Sequence, residues 1–551
     1  MEILSANNIS FSYPEVKGKA ISDLSFSIQK GEFVVLCGPT GSGKSTLLRL
    51  LKQEIAPYGV RQGSFFFNGE AMENIDQEFL IKEIGLVFQD PENQITMDHV
   101  MEELVFGMEN LGMSTSYMRK KVAELVHFFG LNHLLEKKTS ELSGGQKQLI
   151  NLVAVLLLEP SVLLLDEPTS QLDPIASKEF IHILQRLNRE FGMTILIAEH
   201  RLEELFEVAD RVIMLDKGEL KHDTTPRAFV QKISSHSVFR QYLPNSALLF
   251  LDSMPDTNGG EVPLNVNEAR KWLSAQEIEI LPKDLIEKQN TEKKNHILQL
   301  KEVDYSYSKY TVPVLRNLSL SVHEGEWLTI VGANGTGKST LLKVISGLLK
   351  PQHGSVRIYG QKIKKANSKG IHYLPQNPKL FFLQDTLRKE FDLLAHRHQL
   401  GNSDQKIDDL LEEFQLTHLQ DRHPYDLSGG ELQKAALLGA LVIQPSILLI
   451  DEPTKGLDPE SKRTYGDLIA SQVAKGVTVV MVTHDTEFAA LYSTRCSMLF
   501  QGSITSLEAT REFFSENTYY TTVINRITRN SPVPSALTLE EAKRLWRIKS
   551  I

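Results

Sequence analysis

The sequence predicts an α/β fold built from two tandem repeated units, and three observations predict it. The phosphate-loop pattern G-x-x-x-x-G-K-[ST] occurs twice, as GPTGSGKS at 38–45 and GANGTGKS at 332–339. Each copy follows a short apolar run (Phe33–Cys37, Trp327–Val331) and precedes a leucine pair that starts a helix, the strand, loop and helix order that gives the pattern meaning. Hydrophobic stretches also end twice in Asp-Glu-Pro-Thr, at 166–169 and 451–454, and each Asp lies 24 residues beyond the leucine of a Leu-Ser-Gly-Gly tetrapeptide. A repeat of this length lowers the three or four domains that 551 residues would allow to two large units with appendages.

The first unit opens with strand-like alternation over 5–13 and again over 21–28, before a Lys-Gly-Glu turn into the loop strand. Tyr13 and Tyr307 each lie 25 residues before the first glycine of their loop, which makes them candidates for stacking on a purine. Phe11 and Tyr305, two residues earlier on the same strand face, are the alternatives. In the loops, Gly38, Gly41 and Gly43, and Gly332, Gly335 and Gly337, let backbone N–H groups curl around an anion at a helix N-terminus. Lys44 and Lys338 would reach the outer phosphates, Ser45 and Ser339 are placed to ligate Mg2+, and Thr46 and Thr340 complete the set.

Downstream, Gln89 ends a strand before Asp90-Pro91-Glu92-Asn93-Gln94, and Gln376 ends its counterpart before Asn377-Pro378. Ser143, Gly144 and Gly145, and likewise Ser428, Gly429 and Gly430, open helices: serine is a capping residue, and the glycines bare N–H groups at a positive helix end, a second anion site in each half. Strands expected at 161–165 and 447–450 lead to the acidic pairs. Residue alternation on a strand would send Asp166 and Asp451 toward a metal shell and Glu167 and Glu452 toward an attacking water. Further apolar strands at 194–198 and 477–482 lead to His200 and His484.

Net charge is −9 with no basic block, which argues against an electrostatic grip on nucleic acid. Cys37 and Cys496 are the two cysteines, so neither a disulfide framework nor a zinc cluster is supported; a reducing compartment is expected, with Cys37 a buried strand residue. No apolar run approaches the roughly 18 to 20 residues needed to cross a bilayer.

Taken together, these motifs resemble the ATP-binding-cassette ATPases over about 1–235 and 296–515. The resemblance implies two tandem P-loop cassettes, each with a helical signature subdomain, an antiparallel β part and a small C-terminal extension, using ATP and Mg2+. It implies that the cassettes pair head to tail within one chain, Lys44 and Glu167 sharing an ATP with Ser428 and Gly430, and Lys338 and Glu452 with Ser143 and Gly145. By the same resemblance, Gln89 and Gln376 meet Mg2+ or the water and sense a transport partner, and His200 and His484 contact the γ-phosphate. Glu431 in place of Gln146 is the one small departure.

A narrower resemblance, carried by 88–94 and by Glu102-Glu103-Leu104-Val105-Phe106-Gly107, is to the energy-coupling-factor ATPases that drive vitamin uptake. It implies a peripheral place on the cytoplasmic face of the membrane, a transmembrane scaffold with two coupling helices, a separate substrate-binding membrane subunit, and a substrate such as a thiamine pyrimidine. Lys379-Leu380-Phe381 departs from the first half's Glu92-Asn93-Gln94, which fits an asymmetric partner. The stretches 262–273 and 535–546 share a logic of short amphipathic helices with capping-box spacing (Asn265 with Glu268, Thr538 with Glu541). The domain reading is therefore 1–235 and 296–515 for the cassettes, 236–295 for the first extension and linker, with a charged tether at 287–295, and 516–551 for the second extension. The rival reading is a soluble tandem-cassette ATPase acting on ribosomes, whose charged helical arm 235–295 does not resemble.

Overall fold

The computed structural model describes residues 1–14, 18–235, 239–254, 261–282, 295–308, 312–363, 370–401 and 403–549. It divides into two compact units, Met1–Leu248 with Asn258–Asn265, and Leu249–Thr257 with Val266–Ile551.

In the first unit a six-stranded sheet runs in the order Glu219–Thr224, Arg211–Asp216, Phe33–Cys37, Thr194–Ala198, Val162–Asp166, Ile84–Val87, parallel except for the antiparallel Glu219–Thr224 edge. Its central strands are buried along their whole length. A parallel strand covered on both faces needs no polar alternation, which is why these segments read as unbroken apolar runs. An antiparallel sheet of Ile21–Gln29, Glu2–Ser12, Val60–Phe67 and Glu70–Ala71 packs on it through Ile9, Phe11, Phe65, Leu36 and Leu164. The loop helix Lys44–Leu51 buries Leu47, Leu48, Leu50 and Leu51 in the same core. Helices Val100–Asn110, Thr115–Phe129 and Gly144–Leu156 form a third body around Leu104, Met108, Val122 and Ile150.

The second unit repeats the plan. Its six-stranded sheet runs Ile371–Leu374, Ile447–Asp451, Thr478–Val482, Trp327–Val331, Arg495–Phe500, Ser503–Ala509. The antiparallel sheet joins Leu315–His323, His296–Tyr305, His353–Ile358 and Gln361–Lys362. Helices Leu387–Arg397, Ser403–Glu413 and Gly429–Val442 form the helical part around Phe391, Leu411 and Leu438.

The extensions differ from expectation in where they belong. The helix expected in 262–273 forms at Val266–Ser274 and the one in 535–546 at Leu539–Leu545. Thr538 Oγ1 accepts Glu541 N at 3.1 Å, but the Glu541 carboxylate reaches Leu537 N instead of Thr538 N, so half of the capping box is made. Both pieces lie in one core, Leu249, Ala269 and Leu273 with Val523, Ile524, Ile527, Ala542, Leu545 and Trp546. Ile278–Ile280 also pairs antiparallel with Trp546–Ile548. Segments assigned in sequence to the extension of the first cassette therefore cluster with the second unit, because the C-terminal residues supply the apolar surface that buries them. Apart from Asn295, the tether expected at 287–295 lies outside the described residues.

Candidate active site

In each unit the phosphate loop joins a buried central strand to its helix. At Gly38, with φ 142°, a Cβ would fall 2.0 Å from Leu215 O, and at Gly332, with φ 159°, 2.6 Å from Leu499 O, so no side chain fits where the loop leaves the sheet. Lys44 Nζ donates to Gly38 O and Pro39 O at 2.9 Å, and Lys338 Nζ to Gly332 O at 2.8 Å and Ala333 O at 3.0 Å. Both lysines are buried, their ammonium groups held by the loops they belong to.

The strand ends bring the acidic pairs to these loops. Ser45 Oγ donates to Asp166 Oδ1 at 2.8 Å, and Ser339 Oγ to Asp451 Oδ1 at 3.0 Å. Hydroxyl and carboxylate oxygens are the hard donors that Mg2+ takes, and an ion that also binds phosphate oxygens and water needs few protein ligands. No group of three or more His, Cys, Asp or Glu suited to an ion occurs among the described residues.

The strand-alternation argument for the glutamates fails. Asp166 and Asp451 are the last strand residues, while Glu167 and Glu452 have already left the strand in left-handed conformation, φ 43° and 47°. Their N–H groups are tied to Ala198 O and Val482 O on the neighbouring strand at 2.9 Å. A turn in the backbone, not the pleat, separates the two carboxylates.

Around the glutamates the halves diverge. Glu167 Oε2 accepts Gln89 Nε2 at 2.7 Å, and its Oε1 lies 2.7 Å from His200 Nε2. Glu452 Oε2 lies 2.8 Å from His484 Nδ1, and its Oε1 lies 3.6 Å from Lys338 Nζ. Burial raises the Glu452 carboxyl, but His484 and Lys338 outweigh it and hold the group well below the usual carboxylate range. Gln376, expected to match Gln89, is exposed and makes no hydrogen bond among the described residues. In its half the strand supplies a different group: Tyr373 Oη donates to Asp451 Oδ2 at 2.9 Å, at a register position held by Leu86 in the first unit. The sequence showed this as a Leu-to-Tyr difference within an aligned strand.

Tyr13 and Tyr307 stand beside their loops, hydroxyl to hydroxyl with Thr46 at 3.0 Å and Thr340 at 3.1 Å. Phe11 and Tyr305 are buried and pack edge-on beneath them at 5.0 and 5.2 Å, which excludes these two as stacking faces. Ser143 and Ser428 cap their helices in complete capping boxes with Gln146 and Glu431, and Gly144, Gly145, Gly429 and Gly430 follow as the first helical residues. Ser428 Oγ donates to the Glu431 carboxylate at 2.7 Å. Sequence reasoning missed Glu199, whose carboxylate accepts Thr169 N, Thr169 Oγ1 and His200 N beside Glu167; the second half has Thr483 there. Cys37 is fully buried, its thiol pushed up to about 12, an inert strand residue as expected.

Burial pushes the Asp166 carboxyl from 3.8 up to about 6, with the Ser45 hydrogen bond opposing. The folded chain then holds this proton more tightly than the unfolded one. Its contribution is most favourable at low pH, falls as pH rises from about 4 to about 6, and stays low above. Asp166→Asn keeps the acceptor for Ser45 and removes the buried charge. It should stabilise the nucleotide-free protein by about 2–3 kcal/mol at pH 7.5 and by about half of that at pH 5. Urea unfolding at the two pH values checks this; destabilisation at pH 7.5, or equal gains at both, would contradict it.

The family described as ABC transporter matches residues 21–170 and 315–455, the stretches that hold both loops and both acidic pairs. The chain belongs to the ABC transporter family. A provisionally named ABC transporter ATP-binding protein of Bacillus cereus is 43% identical over 541 residues, 97% of this chain and 96% of its own. A Bacillus subtilis protein provisionally named HMP/thiamine import ATP-binding protein YkoD is 33% identical over 527 residues, 94% of this chain and 93% of its own. Among solved structures, the archaeal ribosome recycling factor aABCE1, in complex with the ribosomal stalk protein aP1, covers 92% of this chain and 91% of its own at a TM-score of 0.56. At 21% identity that likeness is one of fold alone. As an ABC ATPase the chain hydrolyses ATP, and its fold is that of two tandem P-loop cassettes. No helix among the described residues is long and apolar enough to cross a membrane.

Proposed function

We propose that this ABC ATPase is the energy-coupling subunit of a membrane importer for a vitamin or vitamin precursor, of the hydroxymethylpyrimidine or thiamine type. It would work at the cytoplasmic face of the cell membrane, beside a transmembrane scaffold with two coupling helices and a separate substrate-binding subunit. The observation that carries the reading is the 33% identity, over nearly the whole of both chains, to the relative named for HMP/thiamine import. The ribosome-acting alternative rests on a likeness of fold alone.

Within each cassette the chain's own residues divide the work. Lys44 and Lys338 would neutralise the outer phosphates, and Tyr13 and Tyr307 would pack on the base. Ser45 with Asp166, and Ser339 with Asp451, would hold Mg2+, which supplies charge neutralisation at the phosphates. Glu167 and Glu452 orient the attacking water, with His200 and His484 beside the γ-phosphate. Gln89 joins the first of these sets through Glu167; the exposed Gln376 leaves the second to Tyr373 and Lys338.

The loops after the two glutamines support an asymmetric partner. Glu92 pairs with Lys147, and Gln94 folds back on its own loop, accepting Phe88 N at 2.9 Å and donating to Leu86 O at 3.2 Å. Gln94 thus builds the loop, while Glu92 and Asn93 remain exposed and polar. In the second unit Leu380, Leu383 and Tyr425 are 72, 69 and 56% exposed, with Lys379 Nζ 5.4 Å from the Tyr425 ring centre. Such an apolar surface prefers an apolar helix. Leu380→Asp with Leu383→Asp should leave ATP hydrolysis by the isolated protein within about twofold and abolish both its recovery with membranes and ATP-driven uptake. Membrane association that survives the double change, or recovery of the wild-type protein with ribosomes, would refute the reading.

A further inference from the structure

We propose that Glu203 and Glu487 are positioning residues that tie His200 and His484 to the helix following each cassette. Each glutamate stands three residues after its histidine. In the second unit Asp485 caps the helix Thr486–Tyr492, its carboxylate accepting Phe488 N at 3.1 Å and Lys462 Nζ at 2.8 Å. The cap directly after His484 therefore fixes the start of the helix that carries Glu487 as its second residue. Glu487 Oε1 accepts Val523 N at 2.7 Å, the first N–H of the helix Val523–Thr528. That helix buries Val523, Ile524 and Ile527 in the core that also holds Ala269, Leu273 and Trp546. On its other side His484 meets Glu452. A path therefore runs from the candidate catalytic glutamate to His484, along three residues of backbone to Glu487, and from Glu487 into the extension core.

The first unit shares the glutamate contact, although the residues after His200 form turns and no capped helix. Glu203 Oε2 accepts Asn245 N at 2.8 Å, and Asn245 is the first residue of the helix Asn245–Ser253. The second helix does not need a carboxylate to begin, because Thr522 already caps it through Asn525 N. Withdrawing a carboxylate from water is costly where a hydroxyl would serve. Burial pushes the Glu487 carboxyl up to about 7, the Val523 N–H opposing the rise, Asp485 adding to it, and Arg526 and Lys462 opposing it further. The same contact, at the same offset from both histidines, makes the segment after each histidine answer to the docking of the helix that follows the cassette. A histidine that must reach the γ-phosphate is then held in place by a helix outside the nucleotide site.

The inference rests on the role proposed above for His200 and His484. Glutamine keeps an acceptor oxygen at these positions, and methionine keeps the length without it. Glu203 and Glu487 are changed together to glutamine, and separately together to methionine. The glutamine protein should keep wild-type hydrogen exchange at the Asn245 and Val523 amides and wild-type kcat. The methionine protein should exchange both amides about tenfold faster or more, and lose about threefold or more in kcat with KM for ATP unchanged. Should the methionine protein not fold, Val523→Pro removes the second donor at a first helical position, where proline is tolerated, and should reproduce the kcat loss. Retained amide protection in the methionine protein overturns the tie. Lost protection with wild-type kcat overturns its action on the histidines. His484→Ala, measured alongside, separates the two claims: wild-type turnover there removes the role given to His484, while the exchange readout still decides the tie.

Discussion

Replacing Glu167 and Glu452 together by glutamine is expected to cut ATP turnover by about a hundredfold or more while leaving ATP bound. Glutamine fills the same volume and still presents one oxygen, so the left-handed turns and the contacts to Ala198 O and Val482 O are undisturbed. What disappears is the negative charge that can orient a water and take up its proton. The phosphate loops, with Lys44 and Lys338 held on their own carbonyls, are untouched. The single changes should differ. At Glu167 the amide meets Gln89 Nε2 and His200 Nε2, two groups that can re-pair. At Glu452 it replaces the charge that faces both His484 and Lys338 in a buried cluster, so the second cassette should lose stability as well as turnover. Single-turnover hydrolysis and retention of labelled ATP measure the two effects; near-normal hydrolysis in the double variant would contradict the assignment.

Trp546→Ala should cost about 3–5 kcal/mol in the second unit. The side chain is 2% exposed in the core that holds Ala269, Leu273, Ile524 and Ile527, and its indole nitrogen makes no hydrogen bond among the described residues. The loss is therefore one of packing and of the cavity left behind. Because Trp546 pairs with Ile280 at the start of the strand Trp546–Ile548, the change should also release Ile278–Ile280. Urea unfolding gives the stability and hydrogen exchange gives the strand; a loss below about 1 kcal/mol, or unchanged protection at 278–280, would count against this account.

The elements that the sequence made legible share one property: their meaning is local. Buried parallel strands need continuous apolar residues, so Phe33–Cys37, Thr194–Ala198 and Ile447–Asp451 were readable within a residue or so at each end. Phosphate loops need glycines at fixed spacing, and the helix starts at Ser143 and Ser428 are marked by a capping serine before two glycines. The doubling of these motifs set the two-cassette fold from the sequence alone, because matched spacing in two halves has no local explanation.

The tertiary structure decided what depends on residues far apart in the chain. The left-handed turn at Glu167 exists because its N–H bonds to Ala198 on the neighbouring strand. Tyr373 matters because sheet register carries its hydroxyl to Asp451, 78 residues on, while Gln376 is left exposed three residues after it. Phe11 and Tyr305 stood as alternatives to Tyr13 and Tyr307 until packing buried them. The stretch after the first cassette looked like its own appendage, yet Ala269 and Leu273 bury against Ile524, Ile527 and Trp546. Periodicity shows that a helix has an apolar face; which distant segment covers that face is fixed only when the chain closes on itself, since burial is the sum of contacts that sequence spacing does not record.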